Sequence, residues 1–99
     1  PRAPPARRAD PTELQSRGYY SLFVDTVPDD VKRLYTESAA QDFAALAQTA
    51  HRLKGVFAML NLVPGKQLCE TLEHLIREKD ASGIEKYISD IDAYVKSLL

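Results

Sequence analysis

Between residues 43 and 60 the apolar side chains fall at Phe43, Leu46, Ala50, Leu53, Phe57 and Leu60, alternately three and four apart. That spacing lays a single apolar stripe along an α-helix, whereas a half-buried strand would repeat every second residue. The helical rhythm holds from Thr12 onward, and no alternating stretch of useful length interrupts it. A helix with one apolar stripe has to cover it. In a chain of 99 residues the available cover is other helices of the same kind. The expected fold is all-α, an antiparallel four-helix bundle with one or two short N-terminal helices.

The stripes also give provisional boundaries. Tyr19, Leu22, Phe23 and Val27 predict a short first helix. Thr26, Pro28 and Asp29 read as a cap that starts a second, carrying Val31, Leu34 and Tyr35. Ser38 is the expected cap of the next helix, about 39–60. Residues 61–64 form a turn, with Pro64 at the first position of a helix bearing Leu68, Cys69, Leu72, Leu75 and Ile76. That helix is expected to end near Asp80, where Ser82 and Gly83 break the pattern. Ile84, Tyr87, Ile88, Ile91, Tyr94, Val95 and Leu98 mark the last one.

Residues 1–11 differ. They hold four of the six prolines and Arg2, Arg7 and Arg8 against the single acid Asp10. So little apolar material predicts a disordered linker or tail from a longer protein, with one domain over 12–99. A net charge of −1 argues against binding to nucleic acid or to an anionic membrane surface. No apolar run approaches the roughly 18 residues of a membrane span, and none has the form of a signal peptide. The lone Cys69 cannot form an internal disulfide, so a cytoplasmic setting is expected.

His51 is the residue to explain. At 100° per residue it lies about 140° from the centre of its apolar stripe, on the solvent side. Around it stand Ala44, Ala47, Gly55 and Ala58, with Gln48 and Lys54 one turn away. An exposed helix face normally collects long charged side chains. Gly55 in mid-helix costs about 1 kcal/mol relative to alanine, which close approach of a partner to His51 would justify. On the residues alone a second reading stays open: an ordinary surface histidine among small residues that serve packing. His74 faces away from its stripe and reads as an ordinary surface residue. Cys69 reads as a small core hydrophobe, and Glu70, Glu73 and Glu78 read as a solvated face. Tyr87 and Tyr94 read as core or boundary residues. His51, Cys69 and His74 lack a metal-ligand spacing, and there is neither a phosphate-binding glycine loop nor an acid cluster for Mg²⁺.

The run Ala50-His51-Arg52-Leu53-Lys54-Gly55 resembles the His-x-x-Lys-Gly signature of the histidine-containing phosphotransfer family. The likeness continues through Leu60-Asn61-Leu62 to Leu68-Cys69-Glu70 and covers roughly 19–99. Two positions depart from the pattern. Val56 and Phe57 replace small residues after the glycine, and Asn61 replaces a turn glycine, although asparagine tolerates the left-handed backbone.

The resemblance implies a phosphorelay carrier in two-component signalling. His51 would accept a phosphoryl group from the receiver domain of a hybrid sensor kinase and pass it to a response regulator. It implies reaction at Nε2, charge stabilisation by Lys54, and docking through Gln48, Arg52, Gly55, Ala47, Ala58 and Arg77. The expected cofactor complement is none of its own, with Mg²⁺ on the partner receiver and no independent kinase activity. The isolated domain is expected to be a monomer that binds no membrane, carried by a larger inner-membrane protein. The alternative is a non-catalytic helical module for protein–protein interaction, and a metal-binding bundle is a remoter third reading.

Overall fold

A computed structural model describes residues 19–99 as four α-helices: α1 Tyr20–Ala39, α2 Phe43–Met59, α3 Val63–Glu78 and α4 Ala81–Leu98. Among the described residues there is no strand. The expected tail, 1–11, and residues 12–18 lie outside the described residues. α2 packs on α3, α3 on α4, and α1 on both α2 and α4, which closes the ring of an up-down bundle. Among the described residues, no helix is long and apolar enough to cross a membrane.

The first helix is continuous, where the sequence predicted two short ones. Pro28 sits inside α1 and leaves the carbonyl of Val24 without its helical partner, but Val24 is exposed and water can reach that oxygen. Thr26 is not a cap; its hydroxyl donates to the carbonyl of Leu22 at 2.7 Å. Phe23, Val27, Val31 and Leu34 keep one phase through the proline and bury together, and that packing outweighs the missing hydrogen bond.

The connections are only two or three residues long, and all three turn the same way. Gln41, Asn61 and Lys79 adopt left-handed φ of 57°, 61° and 55°. The next N–H in each case reaches back five residues: Asp42 to Glu37 (3.0 Å), Leu62 to Phe57 (2.8 Å) and Asp80 to Leu75 (3.1 Å). These bonds satisfy the last carbonyls of α1, α2 and α3. Asn61 therefore does what the missing glycine would do. Asp42, not Ser38, caps α2 by accepting the Ala45 N–H at 3.2 Å, so that helix starts at Phe43 rather than near 39. Asp80 caps α4 through the Gly83 N–H at 3.1 Å; α3 ends before Asp80 as expected, and Ser82 and Gly83 fall in the first turn of α4. Pro64 takes the second helical position of α3, where its missing N–H is equally harmless.

The core draws on every helix: Phe23 and Leu34, Leu46, Leu53 and Phe57, Leu72, and Ile84, Ile88 and Ile91. Each such side chain contributes about 1.5–3 kcal/mol when fully buried. Phe57 is held from two sides. Tyr94 meets its ring edge-on at a centroid distance of 5.9 Å. On the other side Gly65 brings the α3 backbone so close that an added Cβ would lie 2.7 Å from the ring. This close approach locks α2 against α3, and the side of α2 away from the core faces outward.

Candidate functional site

His51 stands on that outward side, between the buried Ala50 and Leu53 and their neighbours on the stripe. Its side chain is 73% exposed. The ring is nevertheless tied down: Nδ1 lies 3.0 Å from Oε2 of Glu73 on α3. Lys54 Nζ lies 2.8 Å from the other carboxylate oxygen, Oε1. Glu73 thus bridges two residues of α2, with its own side chain only 15% exposed. Burial alone would push the Glu73 carboxyl up, but the hydrogen bonds from Lys54 and His51 outweigh it and hold it below the usual carboxylate range. The same hydrogen bond raises the Lys54 ammonium above its ordinary value. An ionised carboxylate can only accept, so Nδ1 carries the hydrogen of the His51–Glu73 bond. In the neutral ring the lone pair then belongs to Nε2, which makes no hydrogen bond among the described residues.

The small-residue clearing has the predicted composition, with one refinement. Ala44, Gln48, Gly55 and Ala58 are exposed, while Ala47 is half-buried against the core. A Cβ placed on Gly55 would meet nothing within 4 Å, so no internal contact requires a glycine there. Arg52 is less free than expected. Its Nη2 lies 2.8 Å from Oδ1 of Asp30 and its Nε 3.4 Å from Oδ2. Asp30 is only 8% exposed, so Arg52 neutralises a carboxylate that α1 buries. Its guanidinium also forms part of the wall of a groove of about 360 Å³ between α1 and α2, with Leu22, Val56 and Met59. Arg77 is exposed one turn beyond Glu73.

The sequence places Glu73 on a solvated face with Glu70 and Glu78, and the structure does not. Glu70 is exposed and pairs with Lys66 at 3.0 Å, and Glu78 is exposed, but Glu73 is drawn into the α2–α3 seam. A signal was present. Glu73 follows Cys69 by four and precedes Ile76 by three, which places it at the edge of the α3 stripe, where a carboxylate needs a partner. Asp30 carried a similar one, lying three after Val27 and four before Leu34. His74 is exposed, Tyr87 and Tyr94 are half-buried, and Cys69 is buried, its thiol pushed up to about 12 mainly by desolvation. Among the described residues no group of three His, Cys, Asp or Glu side chains is placed to hold a metal ion.

A four-helix bundle that displays one histidine over an x-x-Lys-Gly turn defines a recognisable class. Residues 18–99 match the family model described as the Hpt domain, and the chain belongs to that family. Over 87 residues it is 87% identical to Phosphotransferase RcsD of Escherichia coli (strain K12). The match takes in 88% of this chain and 10% of that protein, so the chain spans about a tenth of the relative's length. Its fold is similar to the solution structure of the Escherichia coli YojN Histidine-Phosphotransferase (HPt) domain, with a TM-score of 0.91 and 79% identity. That match covers 98% of this chain and 84% of the other.

Proposed function

We propose that this domain is a phosphorelay intermediate that carries its phosphoryl group on Nε2 of His51. The observation that carries the reading is the pairing of an exposed imidazole, its Nε2 open, with a surrounding face of small residues. In the forward step Nε2 attacks the phosphorus of a receiver's aspartyl phosphate. The N–P bond forms as the aspartyl O–P bond breaks, and the electron pair leaves with the aspartate carboxylate. Transfer to the second receiver reverses these events on a different aspartate. Phosphoryl transfer depends on alignment and on charge stabilisation. Lys54 sits in the same cluster as His51, where its ammonium can offset charge on the arriving phosphoryl oxygens.

The clearing around Gly55 and Ala58 admits a receiver's surface, with Gln48 at one edge to bond the phosphoryl group or the receiver's loop. Ala47 supports that face from below. Arg77 offers a longer-range charge contact, and Arg52 a weaker one, because its charge is already paired with Asp30. The Mg²⁺ of the transfer reaction resides on the receiver. The domain is a carrier without kinase activity of its own, since the sequence holds no nucleotide-binding signature. In keeping with the relative named above, the partners are the receiver of an RcsC-like hybrid sensor kinase and an RcsB-like response regulator. The setting is the cytoplasmic C-terminal part of a larger inner-membrane protein.

Incubation with a phosphorylated receiver tests this directly. The domain should gain an acid-labile, base-stable phosphoryl group that is absent from His51→Ala. Undiminished labelling of His51→Ala would overturn the assignment. Retained binding with no transfer to the unaltered domain would favour a non-catalytic interaction module.

A further inference from the structure

We propose that the groove between α1 and α4 is a second docking surface, which takes an acidic polypeptide segment by a single bulky apolar side chain. The inference goes beyond the phosphorelay reading and does not depend on His51. The groove has a volume of about 200 Å³, and its floor is Pro28, Val31 and Val95. Pockets that enclose small molecules run to roughly 300–1,000 Å³, so this one suits one side chain the size of leucine or phenylalanine. Tyr35 borders it and is 44% exposed.

The rim selects the charge of the occupant. Lys32 and Lys96 line it, and Asp92 is the one acid among the described residues that do so. The Asp92 carboxylate is already engaged. The Tyr35 hydroxyl donates to its Oδ2 at 2.9 Å, and Lys96 Nζ lies 3.3 Å from the same oxygen. Lys32 is exposed and pairs with no carboxylate among the described residues. The lining therefore holds one uncompensated positive charge beside an apolar floor. A partner's carboxylates are attracted there, whereas the arginines of residues 1–11 are repelled, which disfavours the chain's own leading segment as occupant.

A backbone group points to a polypeptide rather than a free acid. Pro28 has no N–H, so the carbonyl of Val24, one turn earlier on α1, keeps an unused acceptor beside the groove. Val24 is itself 39% exposed. A main-chain N–H of the partner satisfies that carbonyl while a side chain of the same segment enters the groove. The position also matters. The α1–α2 groove lies on the other flank of α1, and His51 stands on α2, which packs on α1 and α3. A segment seated between α1 and α4 thus leaves the clearing around His51 open, and a receiver can bind at the same time.

The test titrates the ¹⁵N-labelled chain with a short synthetic peptide of glutamates around one central phenylalanine. Amide signals should shift at Val31, Lys32, Tyr35 and Lys96 and stay fixed at His51 and Gly55. Lys32→Glu, a change at an exposed position, turns attraction into repulsion and should weaken binding about fivefold. Serine in place of the peptide's phenylalanine should abolish the shifts. Transfer from a phosphorylated receiver should keep its rate at saturating peptide. His51→Ala should bind the peptide normally, so a failure of the phosphoacceptor reading and a failure of this one are told apart. Shifts centred on the α1–α2 groove or on His51 would overturn the proposal. So would undiminished binding by Lys32→Glu, equal binding of a peptide with lysines for the glutamates, or no binding at millimolar peptide. Binding to phosphatidylglycerol vesicles that needs Lys32, with no response to the peptide, would overturn it in favour of a membrane surface. A concentration-dependent dimer that needs Lys32 would overturn it in favour of a second copy.

Discussion

Replacing Gly55 with alanine should make the domain more stable and a poorer carrier at once. Gly55 lies within α2, exposed, one turn beyond His51. Its φ is not in the left-handed region, and an added Cβ meets nothing within 4 Å. The substitution thus introduces neither strain nor a clash, and the helix gains the full difference in propensity, about 1 kcal/mol. For a domain of this size that gain raises Tm by about 4–8 °C. The same methyl group narrows the clearing a receiver must enter. Gly55→Leu narrows it further and should lower kcat/KM for transfer from a phosphorylated receiver at least tenfold, equivalent to about 1.4 kcal/mol of transition-state stabilisation. Labelling by phosphoramidate should stay near its normal rate, since that donor needs little room. Thermal unfolding, receiver transfer and phosphoramidate labelling on the same samples separate the terms. A Gly55→Ala domain no more stable than the original would refute the propensity argument. Full transfer by a well-folded Gly55→Leu domain would refute the idea that the glycine clears a path.

Other substitutions probe the frame and the charges. Gly65→Ala should destabilise the domain by about 1–3 kcal/mol in urea unfolding, because its Cβ would lie 2.7 Å from the Phe57 ring; an unchanged midpoint would show that the seam relaxes freely. Arg52→Ala strands the nearly buried Asp30 carboxylate and should cost about 1–3 kcal/mol, a loss that Asp30→Asn in the same chain should reduce. Cys69 should resist thiol reagents in the native state at pH 8 and react only on unfolding, since its thiol is pushed up to about 12. Glu73 is held below its ordinary value of 4.5, so its contribution to stability is fully present above that value and is lost as pH falls through the lower folded-state value. The stability gap between the unaltered domain and Glu73→Gln should therefore shrink on acidification, and a gap independent of pH would count against the pairing.

Much of this architecture was legible because each helix keeps one apolar stripe in constant phase. The Phe43-to-Leu60 stripe and the run from Ile84 to Leu98 both bury as their spacing requires. What misled was punctuation. Thr26-Val27-Pro28-Asp29 has the composition of a helix start, yet Phe23, Val27, Val31 and Leu34 keep phase across it, and continuity of burial prevails over a local signal. The turns at Gln41 and Lys79 were illegible for the opposite reason. Nothing in glutamine or lysine demands a left-handed backbone; the bonds from Asp42 to Glu37 and from Asp80 to Leu75 impose it. The site divides along the same line. His51, Lys54 and Gly55 share one helix, so register alone brings them together. Glu73 is 22 residues away from His51 and joins them only through tertiary packing.

That division ties the chemistry to the least conspicuous contact in the fold. The His51–Glu73 distance is a distance between α2 and α3, and the approach of those helices is set where Phe57 lies on Gly65. Phe57 is six residues past His51, and Gly65 is eight before Glu73, so in an antiparallel pair the lock sits about two turns from the reactive ring. A side chain at Gly65 would wedge the helices apart at that end. Even a small splay would lengthen a 3.0 Å hydrogen bond past the range in which it can hold a tautomer. A residue that touches no reacting atom thus bears on which nitrogen reacts, and the close packing of the core and the orientation of an exposed imidazole become one structural requirement rather than two.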